Sequence, residues 1–192
     1  LKQSDTVIKR TYKTPIVQHC HIENPISYAY MENGRIVVVS STQIPHIMRR
    51  VIGQALGIPW SKIRVIKPYI GGGFGNKQDV LYEPLNAFLT MQVGGRPVKL
   101  DVSREETFCN TRTRHSIEYE LTAGVDKEGH LLAKDMLEIS NQGAYASHGH
   151  SIAANGLTSF RLQYACPNIK GEAYTVYTNT PVGGAMRGYG IP

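Results

Sequence analysis

The stretch "GGGFGNKQDV" (71–80) places alternating glycines directly before a lysine, at a point where a predicted strand gives way to a predicted helix. Two phosphate-binding motifs come close to it, but neither matches. A P-loop needs glycine immediately before its lysine and Ser or Thr after it, whereas Lys77 lies between Asn76 and Gln78. The dinucleotide fingerprint needs glycine where Asn76 stands. Because bare backbone lets an anionic ligand approach closely, a ligand-binding loop and a plain strand-to-helix turn both remain open.

The sequence on either side of the loop predicts alternating strands and helices. "GRIVVVSSTQ" (34–43) is rich in β-branched residues and predicts a buried strand. A helix over 45–57 follows, because its proline suits a first helical turn and its last glycine suits a C-cap. "KIRVIKPYI" (62–70) predicts the strand that leads into the loop, and "QDVLYEPLNAFLTMQVGG" (78–95) predicts the helix that leaves it. The predicted apolar face of the first helix consists of Ile47, Val51, Ala55 and Leu56.

The second half of the chain predicts long strands. "RPVKLDVS" (96–103) is one strand, and residues 115–140 alternate on both arms of a hairpin around "DKEG". "GEAYTVYTN" (171–179) is a further strand, and a glycine-rich loop occupies 180–192. No internal repeat, low-complexity linker or domain seam is visible. We therefore predict an α+β fold with mixed and antiparallel sheets and a few packed helices.

Composition excludes several classes of protein. With 41% hydrophobic residues the 192-residue chain can bury a core, yet no stretch approaches the ~20 apolar residues of a membrane span. The N-terminal residues are not a signal peptide, so we expect a cytoplasmic location and no membrane partner. The formal charge of +6 comes from scattered Lys and Arg, which argues against nucleic acid and suits an anionic cofactor or an acidic partner subunit. The cysteines Cys20, Cys109 and Cys166 are too far apart for a zinc or iron–sulfur ligand set, and we expect reduced, buried thiols.

Two groups of histidines deserve comparison with metal sites. His19, His21 and Glu23 would share one face of a strand, where three N or O ligands could bind zinc or iron. We favour a structural or cofactor-proximal role for them and assign no metal ligand. His148 and His150 flank a glycine, and either a place in an active-site cleft or a hydrogen-bonded scaffold role fits them.

Three separated stretches together carry a family resemblance. "SSTQ" (40–43), "GGGFGNK" (71–77) and "GGAMRGYG" (183–190) occur in the order in which they occur in the molybdenum-cofactor-binding subunit of the xanthine dehydrogenase and aldehyde oxidase family. The resemblance covers nearly the whole chain, because "SREETF" (103–108) and "GAYASHG" (143–149) also fall in order. It is strongest to bacterial xanthine dehydrogenase molybdenum subunits, followed by nicotinate dehydrogenase subunits. The fold it implies is a molybdenum-cofactor-binding domain.

The resemblance implies a set of cofactor-binding residues. Gln43 would hydrogen-bond an oxygen ligand of the molybdenum, and an amide can donate to an oxo group without adding charge. Phe74 and Gly75 would lie against the metal centre and the pterin, and Arg187 would bind the molybdopterin through its backbone amide. Considered singly, each has a structural alternative. Gln43 could cap the following helix, Phe74 could belong to the core, and Arg187 could be a solvated loop cation.

The substrate-facing positions depart from the purine-oxidising relatives. Where those relatives carry a glutamate, an arginine and an aromatic residue, this chain has Gln78, Asn155 and Tyr189. Tyr189 can still stack on a flat heterocycle. Gln78 cannot accept a proton, and Asn155 cannot stabilise charge that develops on a purine. The resemblance therefore leaves open a purine bound differently, another N-heterocycle such as nicotinate, or an aldehyde.

By resemblance, the activity is hydroxylation of a purine (xanthine or hypoxanthine) or a similar N-heterocycle with water as oxygen donor. Electrons would pass to iron–sulfur clusters and FAD in partner subunits or domains of a higher-order oligomer. The family's catalytic glutamate would lie beyond Pro192, since Glu83, Glu105 and Glu106 do not match its position. We therefore expect 1–192 to be the N-terminal part of the cofactor domain and to be inactive alone. Alternatives are a cofactor-free scaffold or pseudoenzyme of the same fold, or a small anion-binding or nucleic-acid-binding module supported by charge alone.

Overall fold

A computed structural model of the protein describes residues 1–191 and divides the chain into two compact units. The central unit comprises His19–Arg112, and the split unit comprises Leu1–Gln18 together with the chain from Thr113 onward. Composition does not shift at either boundary, so the division was not visible in the sequence. No helix among residues 1–191 combines the length and apolar character that crossing a bilayer requires.

The secondary structure is α+β, as predicted. The strands are β1 (Thr6–Thr14), β2 (Val17–Gln18), β3 (Ile26–Glu32), β4 (Arg35–Ser40), β5 (Ile63–Ile66), β6 (Val98–Asp101), β7 (Thr113–Arg114), β8 (Ser116–Val125), β9 (Leu131–Gly143) and β10 (Asn168–Tyr177). The helices are α1 (Pro45–Leu56), α2 (Glu83–Gln92), α3 (Arg104–Asn110) and α4 (Gly149–Leu162), with 3-10 turns at Trp60–Lys62 and Asn76–Gln78. The predicted hairpin forms β8 and β9, whereas the strand predicted over 62–70 is shorter and the helix predicted over 78–95 begins later.

Both units are built on one plan. The sheet of the central unit has the order β6-β3-β4-β5, and the larger sheet of the split unit has the order β1-β8-β9-β10. In each, an antiparallel hairpin lies in the middle, formed by β3 and β4 or by β8 and β9. The edge strand beside it, β5 or β10, runs parallel to its neighbour. A parallel pair needs a crossover, which α1 provides in the central unit and α4 in the split unit. The sequence shows no repeat, but the structure repeats this topology.

The plan explains where the two glycine-rich stretches lie. "GGGFGNK" follows β5, and "GGAMRGYG" follows β10, so each leaves the carboxyl end of the parallel edge strand of its own sheet. Open sheets with parallel strands bind ligands at those ends, where loops and helix starts meet. Both glycine-rich stretches therefore lie at the end of the sheet where folds of this kind bind ligands.

Helix α1 has the predicted ends but a different buried face. Pro45 occupies its first turn, and Gly57 caps it in the left-handed region with φ 66°. Met48 and Ile52 are fully buried against the central sheet, whereas the predicted Ile47 is exposed. Both stripes have i, i+4 spacing, so the sequence alone did not separate them, and packing against the sheet selects the one that is shifted by a residue. The central core consists of Ala29, Ile36, Val38, Met48, Ile52, Ile63 and Ala87.

The predicted burial of the cysteine thiols is wrong. Cys20 and Cys109 are exposed, and Cys166 is half-buried. Cys20 lies in irregular backbone with φ 50°, and Cys109 lies on the outer side of the short helix α3. Neither position is covered by an apolar layer within its unit, which is what burial of a thiol requires.

Strands β1 and β3 and helices α3 and α4 were not predicted from the sequence. Helix α4 is the longest of these, and it was missed because "GHSIAANGLTSFRL" is rich in small and polar residues that favour turns. It packs on β9, whose inward side chains alternate along the strand. At one end the buried Lys134 donates to the carbonyls of Phe160 and Gln163, so a cation caps the C-terminus of the helix. At the other end a Cβ atom on Gly149 would lie 2.0 Å from Oε1 of Gln142, so the helix start needs glycine there. Tertiary contacts of this kind outweigh the low helix propensity.

The middle of this β9 face carries a buried acid. Glu138 is 0% exposed, and neither carboxyl oxygen has a hydrogen-bond partner within residues 1–191. Burial raises the pKa of Glu138 to about 7. The group is therefore largely a neutral acid below neutral pH, and an ionised carboxylate in this place is costly.

We expect Glu138 to make the protein less stable as pH rises. In the unfolded chain the carboxyl loses its proton near pH 4.5, whereas the folded chain keeps it to about pH 7, so stability falls between these values and then levels off. A shift of this size corresponds to about 3 kcal/mol of unfolding free energy. Urea denaturation from pH 4.5 to 8 should show that Glu138→Gln removes this decline.

The exposed Glu128→Gln is the matched control and should leave the pH dependence unchanged. An equally steep decline in Glu138→Gln would mean that another group is responsible.

Candidate functional site

The loop after β5 has an unusual backbone. Gly72 and Gly75 have φ of 98° and 109°, values that residues with a Cβ atom rarely adopt. Phe74 lies between them with φ 50°, which is a strained value for a bulky residue, and its side chain is 44% exposed. Phe74 is therefore not a core residue, and the loop holds its ring at the surface of the unit.

The glycines are needed because other side chains press against the loop. A Cβ atom on Gly71 would lie 2.6 Å from Cβ of Glu23, and one on Gly73 would lie 2.6 Å from Oε1 of Gln43. Real Cβ atoms do not approach so closely. The bare backbone thus admits two protein side chains, which answers why glycines alternate here without forming a known phosphate motif.

Gln43 is held by this close approach. Its Oε1 accepts a hydrogen bond from the amide of Gly75 at 3.1 Å, and its own backbone amide donates to the carbonyl of Lys77 at 2.8 Å. Because Oε1 faces an N–H donor, the Nε2 group must be the other end of the amide. No acceptor for Nε2 lies within hydrogen-bond distance in the described chain, and Gln43 is exposed. It does not cap α1, whose N-cap is Ile44 without a side-chain hydrogen bond.

Lys77 is not available to a phosphate. It is 4% exposed and pairs with Glu23, which also accepts from the amide of Gly71 at 2.9 Å. Burial works to raise the pKa of Glu23, but the hydrogen bonds and charge of these partners outweigh it and lower that pKa. The pair ties the loop to the segment that precedes β3.

His19, His21 and Glu23 do not lie on a strand, so the expectation of a shared face is wrong. The left-handed backbone of Cys20 interrupts the segment, and Glu23 is committed to Lys77. Within residues 1–191 the group of side chains spaced to hold a metal is instead the exposed trio Asp126, Glu128 and His130 in the β8–β9 turn. There Asp126 accepts from the backbone amides of Glu128 and His130, so it shapes the turn.

Asn76 is the loop residue that sequence reasoning undervalued. Its Nδ2 lies 3.1 Å from Nε2 of His21 and donates to Oγ1 of Thr111, while Oδ1 accepts from the amide of Arg112. Nε2 of His21 must therefore be the acceptor, and burial followed by the charge of Lys77 lowers the pKa of His21. The sequence shows only that Asn76 stands where the dinucleotide fingerprint has glycine, and its complete burial is seen in the structure.

Gln78 completes the group in the central unit. It ends the 3-10 turn, where its amide donates to the carbonyl of Gly75 at 3.0 Å, and it is half-buried. Phe74, Gly75 and Gln78 therefore lie on this loop, and Gln43 is bonded to it; their cofactor-binding and substrate-binding roles stay predictions. Asn155, Arg187 and Tyr189 belong to the split unit.

In the split unit the loop after β10 is fixed on α4. Gly190 has φ 92°, and a Cβ atom on it would lie 2.3 Å from the carbonyl oxygen of Ile152. Nδ2 of Asn155 donates to the carbonyl of Tyr189 at 2.6 Å. Asn155 thus uses one of its two N–H donors on the protein, and the other N–H and Oδ1 remain for a ligand.

Arg187 lies on the other side of the same loop. Its side chain is exposed, and its carbonyl accepts from Nη2 of Arg114 at 3.2 Å, while Nε of Arg114 lies 3.1 Å from Sδ of Met186. The backbone amide of Arg187 has no acceptor among residues 1–191. That free amide agrees with the binding mode that the sequence predicted for Arg187.

Tyr189 repeats a feature of Phe74. Each is an aromatic residue in the left-handed region within a glycine-rich loop, with φ 49° and 50° respectively. The Tyr189 hydroxyl lies 2.9 Å from Nδ1 of His148, a residue that sequence reasoning mentioned but did not assign. Strained aromatic residues on loops at strand ends are typical of ligand sites.

The arrangement suits a ligand with oxygen acceptors and a flat face. The Nε2 group of Gln43 and the amide of Arg187 are donors without protein acceptors in the described chain, and the Phe74 ring is held in solvent contact. These features fit molybdopterin, whose phosphate and metal-bound oxygens are acceptors. In the central unit Gln43, Phe74 and Gly75 are the residues that would hold it, and in the split unit the residue that would do so is Arg187.

Removing the charge of Glu23 should lower the unfolding free energy more than removing the charge of Lys77. Glu23→Gln leaves a buried ammonium, whereas Lys77→Met leaves a carboxylate that is 30% exposed. We expect Glu23→Gln to lower the unfolding free energy by about 3 kcal/mol and Lys77→Met by about 1–2 kcal/mol in urea titrations.

The exposed pair of Lys9 and Glu120 is the matched control, and neutralising either partner should leave the unfolding free energy nearly unchanged. Equal losses at Glu23 and Lys77, or the reverse order, would contradict the burial argument.

Comparisons of the chain with known proteins identify its family. The molybdopterin cofactor-binding domain family matches residues 1–192. The xanthine dehydrogenase molybdenum-binding subunit of Escherichia coli O157:H7 is 54% identical over 190 residues, which cover 98% of this chain and 25% of the relative. The nicotinate dehydrogenase large molybdopterin subunit of Eubacterium barkeri is 38% identical over 192 residues, or 100% of this chain and 45% of that protein.

The solved structure of the aldehyde oxidoreductase from Desulfovibrio gigas superimposes with a TM-score of 0.92 at 28% identity, over 98% of this chain and 21% of that one. The chain thus spans about a quarter of the length of the xanthine dehydrogenase relative and less than half of the nicotinate dehydrogenase subunit. The match to the family covers residues 1–192 and therefore includes both glycine-rich loops. The chain belongs to the molybdopterin cofactor-binding domain family.

Proposed function

We propose that the chain binds molybdopterin as part of a molybdenum hydroxylase that oxidises a purine or similar N-heterocycle, with water as the oxygen donor. The observation that carries the proposal is the fixed amide of Gln43. Oε1 is anchored on the amide of Gly75, and Nε2 faces no acceptor within residues 1–191. A neutral donor held in this way can bond an oxo oxygen without adding charge.

When bound, the cofactor supplies the redox chemistry, and the chain supplies binding and orientation. Gln43 donates through Nε2, and the left-handed conformation of Phe74 and Gly75 keeps a bulky ring and a backbone without a side chain beside it. In the split unit Arg187 contributes its backbone amide, and its carbonyl is held in place by Arg114. Each of these groups is fixed by hydrogen bonds within its own unit, so little reorganisation is needed on binding.

The proposed substrate residues favour a neutral, flat ring. Tyr189 provides an aromatic face, Gln78 a half-buried amide, and Asn155 an acceptor oxygen. None carries charge, so a heterocycle would be recognised by stacking and hydrogen bonds. The names of the relatives support xanthine first and nicotinate second, and an aldehyde is the third candidate.

A catalytic carboxylate is not assigned within the described chain. Glu83 accepts from Ser40 and from the amides of Leu81 and Tyr82, and Glu106 closes the capping box of α3 with Ser103. These carboxylates are used in folding. We propose that the remaining parts of the enzyme, with iron–sulfur and FAD components as partners, supply the base and the electron path within an oligomer.

The first test is the molybdenum content of the protein isolated from its native source with its companion subunits, measured by metal mass spectrometry. We expect close to one molybdenum per chain. Essentially none, in a complex with loaded iron–sulfur and flavin centres, would favour the cofactor-free scaffold.

A matched pair of variants then tests Gln43. We expect Gln43→Ala to lower kcat for the best heterocyclic substrate by about 10²-fold, since removal of one fixed donor to a developing oxyanion costs this much elsewhere. Gln54, exposed on α1, is the control, and Gln54→Ala should keep wild-type kcat. Equal activity of the two variants would remove Gln43 from the site.

A further inference from the structure

The repeated plan of the two units places one polar side chain at the same point in each. Gln43 lies between β4 and α1 and accepts a hydrogen bond from Gly75 in the loop after β5. His148 lies between β9 and α4, and its Nδ1 lies 2.9 Å from the hydroxyl of Tyr189 in the loop after β10. In both units a residue in the connection between the hairpin and the crossover helix thus holds the loop that follows the parallel strand; Gln43 lies two residues before α1, and His148 directly precedes α4.

Tyr189 is fixed at both ends. Its carbonyl accepts from Nδ2 of Asn155 at 2.6 Å, and its hydroxyl is bonded to His148. The rings of His148 and Tyr189 meet edge to face, with centroids 5.8 Å apart and planes at 78°. A tyrosine held only through its backbone can turn about its side-chain torsions, whereas these contacts select one orientation of the ring.

His148 is itself well placed to set that orientation. Gly149, the next residue, lies so close to the sheet that a Cβ atom on it would be 2.0 Å from Oε1 of Gln142 in β9 and 2.7 Å from Cγ2 of Thr175 in β10. Asn155 lies seven residues after His148, which puts both on one face of α4. The helix start is therefore fixed on the sheet, and one helix face presents both partners of Tyr189.

We propose that His148 is a positioning and specificity-determining residue, which orients Tyr189 toward flat N-heterocyclic substrates. The inference rests on the proposed function, because Tyr189 is taken to face the substrate. An oriented ring stacks on a heterocycle, and its hydroxyl, with one bond committed to His148, keeps hydrogen-bonding capacity for a ring nitrogen. An acyclic aldehyde offers neither contact and gains little from the orientation.

The test uses the enzyme isolated with its companion subunits, carrying His148→Ala, His148→Asn, Tyr189→Phe, or His148→Ala with Tyr189→Phe. The probes are acetaldehyde and whichever of xanthine, hypoxanthine and nicotinate the wild type oxidises fastest. We expect His148→Ala to raise KM for the heterocycle by about tenfold and to change kcat by less than about twofold, the effect of one lost hydrogen bond.

The KM of the double variant for the heterocycle should not exceed the larger KM of the two single variants, because both substitutions remove the same bond. His148→Asn keeps a polar atom near the position of Nδ1 and should restore KM to within about threefold of wild type. The exposed His150 is the control on the same helix, and His150→Ala should match wild type. Additive losses in the double variant, a fall in kcat at unchanged KM, or an equal loss with acetaldehyde would each overturn the inference.

A second readout does not depend on activity. With 3-fluorotyrosine incorporated, the fluorine resonance of Tyr189, identified by its absence in Tyr189→Phe, should shift in His148→Ala and stay in place in His150→Ala. No shift would show that the contact is absent and would overturn the inference directly. An intact contact in a protein without molybdenum would overturn the proposed function and the substrate role of His148 with it, whereas bound molybdenum with unchanged KM would overturn the role of His148 alone.

Discussion

The close approach of the Gln43 side chain to the backbone of Gly73 is the constraint on which the central site depends. A Cβ atom at that position would lie 2.6 Å from Oε1, so any other residue would displace the amide. With the amide in place, the N–H of Gly75 fixes its orientation and the carbonyl of Lys77 fixes its backbone. The pair of the buried Lys77 with Glu23 then holds the loop in its conformation, in which Gly72, Phe74 and Gly75 have positive φ. The orientation of the exposed Nε2 donor of Gln43 is thus fixed by contacts of the rest of the residue with the loop.

The sequence predicted the regular parts of the fold because they follow local rules. The ends of α1 were readable from its proline and glycine, and the alternation over 115–140 gave the β8–β9 hairpin. The buried face of α1 was not readable, since two stripes of equal period compete and only the sheet decides between them. Helix α4 was missed because its residues favour turns and its stability comes from β9, through Lys134 at one end and Gln142 at the other. Propensity is a weak guide where tertiary contacts supply the free energy.

The candidate site was predictable to the extent that its motifs stand in the sequence. Gln43, Phe74, Gly75 and Gln78 came from one ordered set of motifs, and in the structure Gln43, which precedes α1, accepts a hydrogen bond from the loop that carries the other three. The roles of Asn76 and His148 came only from the structure, since both act through partners more than 30 residues away in the chain. Asn155 was expected to face a ligand, yet its Nδ2 group is bonded to the carbonyl of Tyr189. A single sequence gives the residue type at each position but not the atom that remains free.

The repeated topology turns these separate observations into one argument about how such a site is made. In each unit the loop after the parallel edge strand must leave the sheet, turn through glycines and present an aromatic residue at positive φ. Such a conformation costs on the order of 1–3 kcal/mol and persists only where neighbours hold it. Gln43 holds one loop by accepting from its backbone, and His148 holds the other through the side chain of Tyr189. The difference follows from the residue that each holds. A backbone anchor leaves the Phe74 ring free at the surface for the proposed cofactor, whereas a side-chain anchor fixes the Tyr189 ring itself, as the proposed discrimination between small substrates requires.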